Sequence, residues 1–324
     1  CDIDYGKITQ FAGNYDFWYQ MSQILQKQAK DQQKKREDKM ADLKQFIQRF
    51  ASNVSKSGQA SSRKKMLEKM ELEDIPVTSR KFPYVGFQPE REIGNFVLTA
   101  EKLNSKDDDG NVLLNDFSIT IHPGEKVAFV GMEHNSITSF FDIVSETKKP
   151  DSGTYSWGQT TSHSYMGRDN SSYFNNELTI TDWLKQYSPD QDDAYVRGFL
   201  GRMLFSGDDG LKKVKVLSGG EKVRCMLSKM MLSGANVLIL DDPTNHLDLE
   251  SIESLNEGLV KFPGVVMFSS HDHEFISTIA NRIIEITPKG IIDRMMNFDD
   301  YLKDNQVKQL RKEYYAGLNK KIRI

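Results

Sequence analysis

Four short runs in this chain carry side chains suited to phosphate chemistry. The first is Gly131-Met132-Glu133-His134-Asn135-Ser136-Ile137-Thr138-Ser139. It is spaced like the loop Gly-x-x-x-x-Gly-Lys-Ser/Thr, whose glycines let backbone N–H groups wrap phosphates while the lysine neutralises them. Here Ser136 replaces the second glycine and Ile137 replaces the lysine. Gly131 keeps the entry turn and Thr138 keeps a hydroxyl able to reach Mg²⁺. Ser136 restricts a backbone position that favours glycine, and Ile137 removes a point-charge contact to phosphate. The second run, Leu217-Ser218-Gly219-Gly220-Glu221, precedes apolar Val223, Met226, Leu227, Met230 and Met231 at helical spacing. Ser218 and the amides of Gly219 and Gly220 therefore start a helix and form an anion site. The third, Val237-Leu238-Ile239-Leu240-Asp241-Asp242-Pro243, is a buried strand ending in acid. Asp241 is a candidate Mg²⁺ holder and Asp242 a candidate to polarise an attacking water. The fourth, Phe268-Ser269-Ser270-His271-Asp272, follows a second buried strand and offers His271 to a γ-phosphate.

Those runs need a scaffold that brings strand ends together. Phe96 to Val130 reads as antiparallel strands, ending in the apolar Val127-Ala128-Phe129-Val130 that feeds the phosphate loop. At 324 residues and 38% hydrophobic content, the chain has room for one large α/β domain and a smaller element. No apolar run approaches the ~20 residues of a membrane span. The two cysteines, Cys1 and Cys225, are far apart and suggest no disulfide framework. That pattern, with no signal peptide in view, points to a cytoplasmic protein with no membrane partner.

The start of the chain repeats its end. Ile3-Asp4-Tyr5-Gly6-Lys7-Ile8 leads to Asn14-Tyr15-Asp16-Phe17-Trp18, and Ile286-Thr287-Pro288-Lys289-Gly290-Ile291 leads at the same spacing to Asn297-Phe298-Asp299-Asp300-Tyr301. Both read as a hairpin followed by a helix start. The second copy closes the nucleotide-binding unit, so the first is expected to close another such unit lying upstream in a tandem parent.

Between the copies lies a polar segment with Met40, Leu43, Ile47 and Phe50 at 3-4-3 spacing, as a packed helical pair needs. Residues 53–62 read as its tip, and a second helix runs through Met66, Leu67 and Met70 before Pro76. From Lys27 to Lys69 thirteen basic residues face five acidic ones, a balance of +8 in a chain whose total is −3. Arg49, Lys56, Arg63, Lys64 and Lys65 gather at the tip, a basic prong suited to RNA phosphates. The same charges would also serve a solvated coiled coil, and both readings stay open on charge alone. The basic stretch after Leu302 reads as a solvated terminus.

Taken together, the chain resembles the ABC-F family of tandem-cassette ATPases that act on ribosomes. Leu217–Glu221 resembles the signature motif of ATP-binding cassettes. Asp241-Asp242-Pro243-Thr244-Asn245-His246-Leu247-Asp248 resembles the Walker B strand and D-loop, and His271 the switch histidine. Ser57-Gly58-Gln59-Ala60-Ser61-Ser62-Arg63-Lys64-Lys65 looks like the family's interdomain linker, which in relatives reaches toward the peptidyl transferase centre and P-site tRNA.

The resemblance implies an α/β fold: an ABC-type nucleotide-binding domain, a P-loop NTPase fold with antiparallel β and helical subdomains, preceded by an α-helical hairpin linker. The implied domains are 1–14, the end of a first cassette; 15–82, the linker; 83–302, the second cassette; and 303–324, a basic tail. ATP and Mg²⁺ are the implied ligands. Gly131, Ser136, Ile137, Thr138, Ser139, Asp241 and Ser218–Glu221 are the nucleotide-binding set, with Thr138 and Asp241 on the metal. Asp242 and His271 are the catalytic positions.

The implied partners are an upstream first cassette and the ribosome, through rRNA or tRNA. Departures from the family pattern accumulate on one surface. Besides Ser136 and Ile137, Arg168 takes the place of the Q-loop glutamine, and no aromatic for adenine stands among Ser105–Gly110. Asp242 is one methylene shorter than the usual glutamate, a misplacement on a scale that can cost ~100-fold in rate. Ser218–Glu221 would then complete the site of the first cassette, while the site built on Ile137 binds ATP poorly or not at all. A non-catalytic dimerisation module and a transporter ATPase subunit remain as other classes, and housekeeping translation is not separable from antibiotic resistance.

Overall fold

The computed structural model describes residues 2–4, 7–10, 12–13, 15–50, 62–67 and 80–316. They fall into two compact units, Cys1–Lys81 and Phe82–Ile324.

In the first unit, strands β1 (Asp2–Asp4) and β2 (Lys7–Thr9) form an antiparallel hairpin. Helix α1 (Tyr15–Phe50) runs for 36 residues, and a short helix α2 spans residues 62–67. The stripe seen in the sequence has its physical counterpart. Leu43 is buried and Met40 and Ile47 are half-buried, while Lys34, Lys35, Lys39 and Lys44 are exposed. Arg63, Lys64 and Lys65 stand exposed on α2. Arg49 lies in the last turn of α1, its side chain outside the described residues. Lys56, most of the expected tip, Met70 and Pro76 also lie outside them.

The second unit is built on a six-stranded sheet of order β11-β10-β5-β9-β8-β7. Its strands are β5 (Lys126–Val130), β7 (His163–Met166), β8 (Val237–Asp241), β9 (Val265–Ser269), β10 (Arg282–Thr287) and β11 (Gly290–Arg294). All neighbours pair in parallel except β10 and β11. A sheet covered on both faces needs strands apolar throughout. Val237–Asp241 and Val265–Ser269 are buried at every position.

Alternation divides each strand between two cores. Val127 and Phe129 join helix α3 (His134–Val144) and a three-stranded antiparallel sheet. That sheet, of order β4-β3-β6, contains β3 (Leu98–Lys106), β4 (Val112–Ile121) and β6 (Ser152–Trp157). Ala128 and Val130 face the other way, into a core shared with Trp183, Leu227, Leu255 and Phe275. Those residues come from helices α4 (Ile180–Lys185), α6 (Gly219–Leu232), α7 (Leu249–Lys261) and α8 (His273–Ile279). Helix α5 (Asp193–Arg202) packs against α4 and α6 and completes a helical subdomain.

The repeat noticed in the sequence is also one of register. Ile3 pairs with Ile8 and Asp4 with Lys7 in β1–β2, as Ile286 pairs with Ile291 and Thr287 with Gly290 in β10–β11. The C-terminal stretch departs from the solvated terminus expected of it. Helices α9 (Phe298–Lys303) and α10 (Asn305–Tyr314) pack on the domain, with Tyr301, Val307 and Tyr315 buried. Glu285, fully buried on β10, requires them. It accepts hydrogen bonds from Tyr301 Oη (2.5 Å), Tyr315 Oη (2.9 Å) and Arg311 Nε (3.1 Å), which satisfies a carboxylate that burial would otherwise penalise.

Phe140 is fully buried on α3, its ring 4.9 Å from that of Phe117 and 5.2 Å from that of Phe129. It thus ties the helix of the phosphate loop to both sheets. Phe140→Ala is expected to lower unfolding free energy by about 3–5 kcal/mol, through lost burial and the cavity left behind. A shift of the urea midpoint, at unchanged slope, is the check.

Candidate functional site

Parallel strands present their carboxyl ends on one edge, where ligands of open α/β sheets bind. In the register Asp241 lies beside Ser269, and Ser269 beside Phe129. The loop after β5, the acids after β8 and the Ser269–His271 segment after β9 therefore converge.

The phosphate loop is drawn tight against the sheet. A Cβ on Gly131 would lie 2.6 Å from the carbonyl oxygen of Ile286, so only glycine passes there. Helix α3 already begins at His134, after Glu133 in extended conformation. The Ser136 N–H bonds back to the Glu133 carbonyl at 3.1 Å, so it is committed within the turn. Ser136 is buried, and Ile137, 1% exposed, belongs to the core with Phe140 and Phe141. Ser139, expected among the nucleotide-binding residues, turns elsewhere: its Oγ lies 2.9 Å from Ser105 Oγ beneath the loop. Behind the loop, Tyr315 and Met132 line a common cavity.

Asp241 is the centre of the site. It is 1% exposed. Its Oδ2 accepts from Thr138 Oγ1 (2.6 Å), and its Oδ1 from Ser269 Oγ (2.6 Å) and His134 Nε2 (2.8 Å). Burial pushes this carboxyl upward, but the bonds from His134, Ser269 and Thr138 outweigh it and hold the group below the usual aspartate value. An ionised carboxylate only accepts, so the proton of this contact sits on His134 Nε2. The His134 ring also lies 5.5 Å from that of His271, at an interplanar angle of 33°. His134 thus links two groups read from the sequence as nucleotide contacts.

Two cavities flank the loop. One, of about 690 Å³, is lined by Gly131, Met132, His134, Ile137, Ser270 and His271 among others. The second, of about 510 Å³, is lined by residues of β4, by Met132, Glu133 and Ser136, and by Tyr315. No lysine or arginine lines either, and neither Asp241 nor Thr138 lines the first. A magnesium nucleotide needs backbone donors, a cation for its phosphates and open oxygens for its metal. As arranged here, the chain's own loop does not fit one.

Asp242 follows in the left-handed region, at φ +54°, which aspartate tolerates better than most residues. Its N–H donates to Ser269 Oγ at 2.9 Å, and its Oδ2 accepts from Asn245 Nδ2 at 2.5 Å. Its Oδ1 is buried without a hydrogen-bond partner among the described residues. Arg168 is exposed just beyond β7.

The second run is differently placed. Ser218 caps α6 through a complete capping box: the Glu221 N–H donates to Ser218 Oγ (3.4 Å) and the Ser218 N–H to Glu221 Oε2 (2.9 Å). The D-loop packs on this start. A Cβ on Gly219 would meet His246 Cγ at 3.0 Å, and one on Gly220 the His246 carbonyl oxygen at 2.8 Å. Ser218 and Gly219 are exposed, Gly220 and Glu221 half-buried. First-turn N–H groups of a helix lack intrahelical partners, so this start fits a phosphate brought from outside the chain's own loop.

His134 and Ser269 are the functional positions that sequence reasoning left without roles. The signal for His134 was a ring-nitrogen donor in a loop that had lost its cation beside a strand-end acid. For Ser269 it was position: the last residue of the strand paired with the Asp241 strand.

Two family models, both described as ABC transporter, match residues 1–87 and 114–245. An uncharacterized ABC transporter ATP-binding protein, YkpA, of Bacillus subtilis (strain 168) is 54% identical over 97% of this chain and 58% of its own length. The energy-dependent translational throttle protein EttA of Escherichia coli (strain K12) is 29% identical over 93% of this chain and 54% of its own length. The chain thus spans little more than half of either relative. A nucleotide-free ATP-binding cassette from an ABC transporter shares the fold, with a TM-score of 0.54 and 12% identity over 69% of this chain and 100% of that one. No described helix is long and apolar enough to cross a membrane.

The depressed carboxyl of Asp241 makes a signed prediction. Its folded value lies below the unfolded 3.8, so its contribution is fully present above the unfolded value and is lost as pH falls through the folded one. The stability gap between the native chain and Asp241→Asn should be constant above about pH 5 and shrink on acidification below that. Urea titrations at a series of pH values provide the check.

Proposed function

The chain carries an ATP-binding cassette of the ABC family, and from that premise we propose that it works as one half of an ABC-F-like translation ATPase. It supplies Ser218–Glu221 to a first cassette placed upstream in the same parent protein. ATP held between that cassette's phosphate loop and this helix start draws the two together. Closure then sets the basic hairpin, with Arg49, Lys56, Arg63, Lys64 and Lys65, against rRNA or tRNA in the cytoplasm. The second site, on Ser136 and Ile137, is degenerate and contributes no turnover of its own.

One observation carries this reading: the chain keeps a capped, exposed helix start at Ser218, while the lysine position of its own phosphate loop is an isoleucine in the core. Such a half-site has use only if another cassette brings the phosphate. The name of EttA, which refers to translation, and its 29% identity over 93% of this chain lend support to the ribosome as the target.

A protein carrying this chain behind its first cassette should co-sediment with ribosomes in an ATP-dependent manner. Ser218→Arg, which blocks the helix start, should lower ATP turnover by about 100-fold, the scale of losing a donor aimed at developing charge. Changing Arg63, Lys64 and Lys65 together to Gln should flatten the dependence of log affinity on log salt by roughly 2 to 3 units. Failure to bind ribosomes with or without ATP would overturn the ribosome assignment. Absence of ATP turnover in the tandem protein would leave a dimerisation module.

A further inference from the structure

The phosphate loop has not merely lost its cation; a side chain of its own occupies the place next to Asp241. His134 Nε2 lies 2.8 Å from Asp241 Oδ1, and its ring spans from there to within 5.5 Å of the His271 ring. The large cavity on that edge is lined by His134 and His271 but not by Asp241 or Thr138. The imidazole thus stands on the cavity wall with one ring nitrogen bonded to Asp241, between that acid and the His271 ring.

We propose that His134 is an internal plug. It takes up the Asp241 oxygen that a metal or its water would otherwise use, and so keeps this half-site closed to magnesium nucleotide independently of the missing lysine. Such a plug presupposes that residues 131–138 are a degenerate phosphate loop, as in the function proposed above.

Three features support the plug over an incidental contact. Asp241 is 1% exposed, and a carboxylate so placed needs donors. Thr138 and Ser269 supply two hydroxyls, and His134 is the third donor on a carboxylate that no cationic loop side chain approaches. Helix α3 starts at His134 itself, so the imidazole projects from the first helical residue, where backbone and side chain are fixed together. The cavity wall is completed by Ile137, whose side chain is anchored in the core. The site is closed from two adjacent turns of one segment.

Calorimetric titration of Mg-ATP into the full chain separates the plug from the lost lysine. The variants are Ser136→Gly with Ile137→Lys, the same pair with His134→Ala, and the same pair with His134→Gln. Glutamine keeps an N–H donor of similar reach and should keep the plug. The pair alone should bind weakly or not at all. Adding His134→Ala should tighten binding at least tenfold, and adding His134→Gln should not.

The plug is overturned if the pair binds as tightly as the alanine triple variant, if neither binds, or if the glutamine form binds like the alanine form. In the native chain, nitrogen and proton spectra of the ring give a readout that needs no variant to fold. The His134 ring should be the Nε2–H tautomer with a slowly exchanging, hydrogen-bonded proton. A freely exchanging ring or the Nδ1–H tautomer overturns the plug. Micromolar Mg-ATP binding by the native chain would instead sink the degenerate-loop reading beneath it, whereas equal binding by the pair and the alanine triple removes only His134 from the account.

Discussion

The carboxylate of Asp241 is the constraint around which the nucleotide edge is organised. It ends a strand buried at every position, in a sheet covered on both faces. Taking such a charge out of water costs several kcal/mol or more unless donors surround it. In this chain three donors from two elements do so: Thr138 and His134 from α3, and Ser269 from the neighbouring strand. Satisfying the acid therefore fixes how the helix of the phosphate loop sits on the sheet. It also fixes the Asp242 turn, because Ser269 Oγ serves both acids, donating to Asp241 and accepting from the Asp242 N–H.

Much of this was legible in the sequence, for a definite reason. Strand ends and helix starts are announced by local pattern: an apolar run followed by acid at Asp241–Asp242, or Ser218 with Glu221 three residues on. The repeat Ile3–Ile8 and Ile286–Ile291 announced two hairpins, and the strands of both pair in matching register. What pattern did not convey was pairing across the sheet. Ser139 shares its helix with Thr138, yet one hydroxyl meets Ser105 and the other Asp241. Successive helical residues point about 100° apart, so adjacency in a motif does not imply a shared site. The stretch after Leu302 was read as solvated because of its charge. Its lysines signalled solvent, while Arg311 and Tyr315, together with Tyr301, satisfy Glu285, an acid hidden among the buried residues of β10.

That second buried acid anchors the tail close to the loop. Glu285 lies beside Val130 in the parallel register, at the level where β5 gives way to Gly131. Tyr315 donates to Glu285 and lines one cavity with Met132. The loop is thus held on one side by Asp241 through His134 and Thr138, and bordered on the other by Tyr315, which Glu285 anchors. Two buried carboxylates, each needing donors, thus border the loop.

The departures from a working phosphate loop are then one change rather than several. An acidic strand end opposite a loop without its cation would hold a charge short of donors. His134 supplies one, and a helix that starts early enough to deliver that ring must wind Ser136 into its first turn. Once wound, the next position faces inward, where Ile137 packs with Phe140 and Phe141 at 1% exposure. A lysine at that place would have to carry its ammonium out of the core along the helix, which costs burial of the stem's neighbours before any phosphate is reached. The open half-site at Ser218 imposes no such coupling, since its glycines answer only to the backbone and ring of His246. In this chain the buried contacts around Asp241 and the helix start at Ser218 therefore share no donor.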